Sequence, residues 1–260
     1  MKSTIRTLWA LLRIRLSSLT MYRLSFFTAF VVDCVTFVTQ LIFLQLLTRG
    51  GAGEWSGSLY AMFVGSFMTI DGLYMCTWFF GVVTLPDTVR SGDLDMVLLK
   101  PVDPLLYTAF CRMDLGSIPV VLIGAIITLS AAATGGYLTV GGVLLWLAAM
   151  LLMYVLMFAL SLMIRCVSFW TKSTGALGEV ENTLVDSGFR IPLPAIKGIA
   201  KVFWLLLLPY GLVGNFPALA LAGMTTPLWW VYVTLLTAAF FTLSLLVWRR
   251  GLQRYESASS

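Results

Sequence analysis

The sequence contains no histidine. That absence excludes a histidine-based metal site, an imidazole general base and a Ser-His-Asp triad. Charge is also scarce, at 11% Asp, Glu, Lys and Arg, where a soluble domain carries about one quarter. A phosphate-binding G-x-x-x-x-G-K-[ST] loop is missing as well. The stretches "GGAGEWSGS" and "GALGEVEN" are glycine-rich, but neither has the lysine that reaches a phosphate. The chain is therefore expected to perform no covalent chemistry, to hydrolyse no ATP by itself, and to hold no metal or cofactor of its own. The four cysteines, Cys34, Cys76, Cys111 and Cys166, form no CxxC pair and sit in or beside apolar segments, so free thiols are expected.

What the sequence has in abundance is apolar residues, 59% of the chain. So apolar a chain has too little polar surface to cover a core in water, and lipid must be its solvent. Runs long enough to cross a bilayer lie at 24–47, 59–83, 115–134, 140–164, 198–222 and 227–248. The expected fold is an all-α integral membrane protein of six transmembrane helices in one domain, 24–248, with a tail over 249–260. Basic residues fix its orientation, because Lys and Arg concentrate in short cytoplasmic loops. They gather before the first run, between the second and third, between the fourth and fifth, and after the last; only Arg49 falls outside these segments. Both termini are thus expected in the cytoplasm, with the chain in a cell membrane.

Residues 1–23 read as a cytoplasmic interfacial helix. Ile5, Leu8, Trp9, Leu12, Leu16 and Leu19 form one stripe, flanked by Lys2, Arg6, Arg13 and Arg15, which can snorkel to headgroups. The plainer alternative is a basic orientation signal. The connection after the fourth run contains Glu179, Glu181 and Asp186; it is too polar to span and is expected to lie along the cytoplasmic surface. The fifth run is interrupted by Pro209, Gly211, Gly214 and Pro217. Proline removes a backbone donor and clashes with the preceding turn, so Pro209 and Pro217 mark helix breaks. Two shapes remain: a kinked span ending in a short outer-face helix, which the basic residues favour, and a re-entrant pair of half-helices.

Asp33 and Asp71 are the ionisable residues deep inside apolar runs. Charge at that depth is expensive, so such residues normally face a bundle interior or an aqueous cavity. They are candidates for a translocation pathway, for binding a cationic group or for sharing a proton; the alternative is hydrogen-bonded packing residues. Trp55, Tyr60, Trp146, Trp229 and Trp230 fall near expected interfaces, as membrane anchors do.

The stretch between the second and third runs, "RSGDLDMVLLKPVDP", is charged and punctuated by Gly92, Pro101 and Pro104. Leu94, Met96, Val97, Leu98 and Leu99 lie beside Asp93 and Asp95, the pattern of a short amphipathic helix with a stop at each end. A helix that docks on another protein needs such a leucine-rich face, although lying on the membrane surface would also explain it.

The longer stretch "VRSGDLDMVLLKPVDPLLYTAF", read as Arg-x-Gly-x-Leu-Asp-x-x-Leu-Leu-Lys-Pro, resembles the cytoplasmic segment of permease subunits of type-2 ABC exporters. It is most similar to the small-permease branch in which two permeases often accompany one ATPase. The proline-broken "LLLLPYGLVGNFPALALAG" and the basic end "WRRGLQRYESA" extend the resemblance over nearly the whole chain. The resemblance implies that Arg90 to Pro101 forms a coupling helix seated in the ATPase. Gly92 would bound it, Leu94, Asp95, Leu98 and Leu99 would make the contact, and Arg90 and Lys100 would pair with acidic groups or headgroups. It further implies a dimer of permeases, of one chain or of two sister chains, bound to two ATPase subunits that hold ATP and Mg. The polar "GEVENTLVDSGFRIPLPAI" departs from the family pattern and leaves the start of the fifth span open.

The expected function is export of an amphipathic or hydrophobic substrate by alternating access, probed against two alternatives. One is a proton- or cation-coupled secondary transporter using Asp33 and Asp71. The other is a non-transporting membrane assembly subunit.

Overall fold

The computed structural model describes residues 31–32, 35–40, 42, 46, 55–171 and 175–255, and among these it is helical with no strand. The interfacial helix expected over 1–23, Asp33, and the tail beyond 255 lie outside the described residues.

The first long helix, α1 (Gly57–Thr77), starts at Ser56, whose hydroxyl accepts from the Leu59 N–H at 3.3 Å. Its 21 residues rise about 31 Å at 1.5 Å each, a full crossing of the hydrocarbon. Trp78 interrupts it, and a short α2 (Phe79–Val83) follows, so two helices share the apolar run 59–83. Three more short helices come next: α3 (Leu85–Ser91), α4 (Leu94–Leu98) and α5 (Pro104–Phe110). Two long helices then run back and forth, α6 (Ile118–Thr134) and α7 (Val140–Cys166), joined by a tight turn in which Gly136 takes φ 74°. After α8 (Gly175–Arg190) comes α9 (Ile199–Val202), which runs on as a π turn to Leu207. The helix α10 (Asn215–Leu221) and the last long helix, α11 (Pro227–Arg254), complete the chain.

Four helical segments are long and apolar enough to cross a membrane: Gly57–Thr77, Leu115–Thr134, Val140–Phe169 and Pro227–Arg254. A bent pair, Ile199–Leu207 with Pro209–Leu221, makes a fifth if counted as one span. The described residues therefore contain four or five of the expected six spans; the first expected run, 24–47, falls largely outside them, although 35–40 are helical.

The centre of the bundle is α1, and it packs tightly against α6 because both present small residues at the crossing. A Cβ on Gly65 would stand 2.5 Å from Thr128 Oγ1 and 2.8 Å from the Gly124 carbonyl; one on Gly124 would stand 2.7 Å from the Thr69 amide nitrogen. Gly65-x-x-x-Thr69 thus faces Gly124-x-x-x-Thr128. Each threonine hydroxyl donates to its own helix, Thr69 to the Gly65 carbonyl at 2.7 Å and Thr128 to the Gly124 carbonyl at 2.9 Å. In lipid, where apolar side chains gain little by leaving their solvent, such close backbone approach is a main source of helix association. On another side, the Trp146 indole donates to the Ser66 hydroxyl at 2.9 Å and ties α7 to α1.

Contacts along the helices fix their directions. Gly135, at the end of α6, lies against Ser58 at the start of α1, so these two are antiparallel. Trp248 and Gly251 of α11 meet Phe169 just beyond α7, so α7 and α11 run parallel. The chain between them changes sides, and α10 finishes beside the start of α7, where the Leu221 carbonyl would be 2.7 Å from a Cβ on Gly142.

The break at Pro209 is present: the limbs on either side of Leu208 bend by 83°, and Pro209 opens a single 3-10 turn. Pro217 instead lies in the first turn of α10, where the missing N–H would have had no intrahelical partner anyway. Asn215 holds the bend from inside. Its side-chain carbonyl accepts from the Leu193 N–H at 2.8 Å and its amide donates to the Gly211 carbonyl at 2.7 Å.

Candidate functional site: a rooted hairpin and an acidic cavity

Two places gather the residues singled out in the sequence. The first is the hairpin of α3 and α4. Gly92 closes α3 with φ 79°, a left-handed conformation that glycine adopts without strain, and the chain reverses into α4. Leu85 and Leu94 are fully buried in a cluster with Leu162, Cys166, Phe169 and Trp248, at the adjoining ends of α7 and α11. Leu94, one of the residues that the resemblance assigns to the ATPase contact, points inward here and roots the hairpin. What remains outward is Met96 at 67%, Leu98 at 41% and Leu99 at 81% exposed. Pattern alone could not separate Leu94 from its neighbours, because a five-residue helix has too few turns to mark which face is covered.

Polar contacts hold this hairpin in shape. Asp95 faces the Tyr255 hydroxyl; burial first and then this carboxylate push the Tyr255 phenol above its ordinary pKa. Lys100 donates to the Tyr107 hydroxyl and its ammonium stands 3.8 Å from that ring's centroid. Asp103 caps α5 by accepting from the Leu106 N–H at 2.9 Å. Arg90, Lys100 and Pro101 are exposed.

The second place is a cavity of about 230 Å³ between residues 36–37, α1, α7 and α8. Asp71 stands on its wall, half-buried, and accepts a hydrogen bond from Tyr74. Glu181 and Asp186 of α8 also line it. Tyr74, Trp78 and Phe79 form an aromatic wall; the Tyr74 and Trp78 rings stack at 5.3 Å and 28°. Asp33, the other buried acid of the sequence reading, lies outside the described residues.

The polar connection forms α8, which packs one face against the bundle and leaves Glu179, Asn182 and Asp186 exposed on the other. Its face of Gly178, Glu181 and Gly188 is buried in the bundle. Gly178 lies against the Arg165 guanidinium and Gly188 against the Tyr210 carbonyl, so close that a Cβ on either would be 2.7 Å away. Glu181 is tolerated there because Arg165 Nε meets its Oε2 at 2.6 Å. Burial nonetheless raises the Glu181 carboxyl above its ordinary pKa of 4.5, with Ser161 and Arg165 pulling it back down. By position Arg165 is one of the bases between the fourth and fifth runs; the signal for its role is the polar pair itself, one base and one acid across a short connection.

Cys76 and Cys166 are free thiols. No cluster of three metal-ligating side chains occurs among the described residues.

A family model described as "ABC-2 family transporter protein" matches residues 12–259. No curated protein and no solved structure matches the chain. A match over nearly the entire length, on a bundle of apolar crossing helices, settles the family: the chain is a type-2 ABC permease, a member of the ABC-2 family of transporter proteins.

Proposed function

We propose that this chain is the membrane-spanning permease of an ABC exporter, driven through its α3–α4 hairpin by a separate ATPase. Family membership carries with it a membrane setting and an ABC ATPase partner. The observation that supports the hairpin as the docking element is its two-sidedness. Leu85 and Leu94 are sunk into the ends of α7 and α11, while Met96, Leu98 and Leu99 project outward. Clustered exposed apolar residues on a hairpin held this firmly mark an interaction surface. Force applied at Leu99 passes through Leu94 to two long helices instead of being lost in a flexible loop.

In this reading ATP and Mg bind on the partner ATPase, two copies of which serve two permeases, either identical or sister chains. In the same reading the membrane is a bacterial inner membrane and both termini lie in the cytoplasm, an orientation that the basic loops support. Closure of the ATPase reorients the bundle and moves an amphipathic or hydrophobic substrate outward between the two permeases.

The test is affinity purification from mild detergent of the wild type beside Leu99→Arg. An ATP-binding protein should co-purify stoichiometrically with the wild type and be lost with the variant. A wild type that emerges without an ATPase defeats the exporter reading, and equal retention by Leu99→Arg defeats the docking role of the hairpin.

A further inference from the structure

The break at Pro209 frees a backbone carbonyl, and the structure shows what takes it up. In an α-helix the Leu205 carbonyl would accept from residue 209, but Pro209 has no N–H. In the π turn that carries the chain to Leu207 it would accept from residue 210 instead, and the Tyr210 N–H already donates to the Leu208 carbonyl at 2.7 Å. The donor comes from α11: the Tyr232 hydroxyl bonds to the Leu205 carbonyl. Among apolar helices a freed carbonyl is expensive, and a neighbouring helix is a usual source of relief.

The limbs on the two sides of the bend are held very differently. Pro209–Leu221 is buried along its length except at Leu219, which is half-buried. Ile199–Leu207 has no buried residue, and Ile199 is 89% and Leu207 63% exposed. That limb starts from Gly198, whose φ of 61° is open to glycine and whose surroundings are empty within 4 Å of a Cβ position. Tyr232 belongs to the fixed side. Its ring meets Trp229 edge-on at 6.3 Å, and Trp229 stacks on Phe216 of α10 at 6.5 Å. We infer that residues 199–207 form an arm that pivots between Gly198 and Leu208, and that the Tyr232 hydroxyl is the catch that holds it in the bent position. Opening the catch breaks one hydrogen bond and no core contact, so the arm can swing while α10 stays packed.

The experiment is amide hydrogen exchange, read by mass spectrometry, on the full-length chain in a neutral maltoside detergent. Local opening sets the exchange rate. In the wild type the 199–208 amides should exchange at least about tenfold faster than those of 215–221. Tyr232→Phe, which removes only the hydroxyl, should accelerate 199–208 about tenfold further, the scale of one hydrogen bond, and leave 215–221 unchanged. Pro209→Ala restores an N–H for the Leu205 carbonyl, so adding Tyr232→Phe to it should change exchange by less than about twofold. Equal protection of the two limbs in the wild type overturns the arm, and this comparison needs no variant to fold. Unchanged exchange in Tyr232→Phe, acceleration that spreads equally to 215–221, or a full tenfold effect in the Pro209→Ala background overturns the catch. No ATPase takes part, so the result stands apart from the co-purification test.

Discussion

Arg165 and Glu181 form an ion pair at 2.6 Å with side chains only 10% and 3% exposed, joining the end of α7 to the face of α8. Each residue makes the other tolerable in a place where neither would be tolerated alone. Removal of one partner from a buried pair typically costs about 3–5 kcal/mol, because the other charge is left stranded.

Arg165→Met should accordingly destabilise the chain at neutral pH by about 3–5 kcal/mol, read as thermal unfolding in detergent. The loss should shrink in acid. The Glu181 carboxyl is already above its ordinary 4.5 in the folded chain, and removal of Arg165, which lowers it, raises it further. An acid with a raised folded pKa contributes stability below its unfolded pKa and loses it as pH rises through the folded one. The variant's deficit should thus grow from pH 4.5 upward, and a second change, Glu181→Gln, should flatten that slope. A deficit independent of pH would place the damage elsewhere.

Gly65→Ala should separate α1 from α6. Its new Cβ would meet Thr128 Oγ1 at 2.5 Å and the Gly124 carbonyl at 2.8 Å, and backbone cannot yield as a side chain can. A cost of about 1–3 kcal/mol is expected. Gly141→Ala, which meets nothing within 4 Å, is the matched control and should leave the unfolding temperature unchanged or slightly raised.

Within the hairpin, Leu94→Ala and Leu99→Ala should act on different quantities. Leu94 is fully buried, and its truncation should cost about 2–5 kcal/mol of stability. Leu99, 81% exposed, should leave stability within about 0.5 kcal/mol while weakening capture of the ATPase. If Leu94→Ala unfolds no earlier than wild type, the rooted hairpin is wrong.

Asn215→Leu removes a buried acceptor for the Leu193 N–H and a donor to the Gly211 carbonyl. Each orphaned group costs about 1–3 kcal/mol. Faster proteolysis between 191 and 214 than in wild type is the expected readout, since these bonds hold the bend against the segment after α8.

The sequence by itself determined the solvent, the positions of the long helices and the break at Pro209. These follow from composition and local chemistry: an apolar run of about twenty residues has one economical home, and proline denies a donor wherever it stands. The Gly92 stop before α4 was legible for the same reason. Tertiary structure alone decided the direction of each side chain and the company it keeps. Leu94 and Leu99 are the same residue type five positions apart; burial against Trp248 and Phe169, remote in sequence, made one a root and left the other outward. The segment around Glu181 reads as polar along its whole length; that one of its faces is buried follows from Arg165, which belongs to another helix. Charge is tolerable inside a bundle only when the opposite charge arrives from elsewhere in the chain, and that meeting is set by packing.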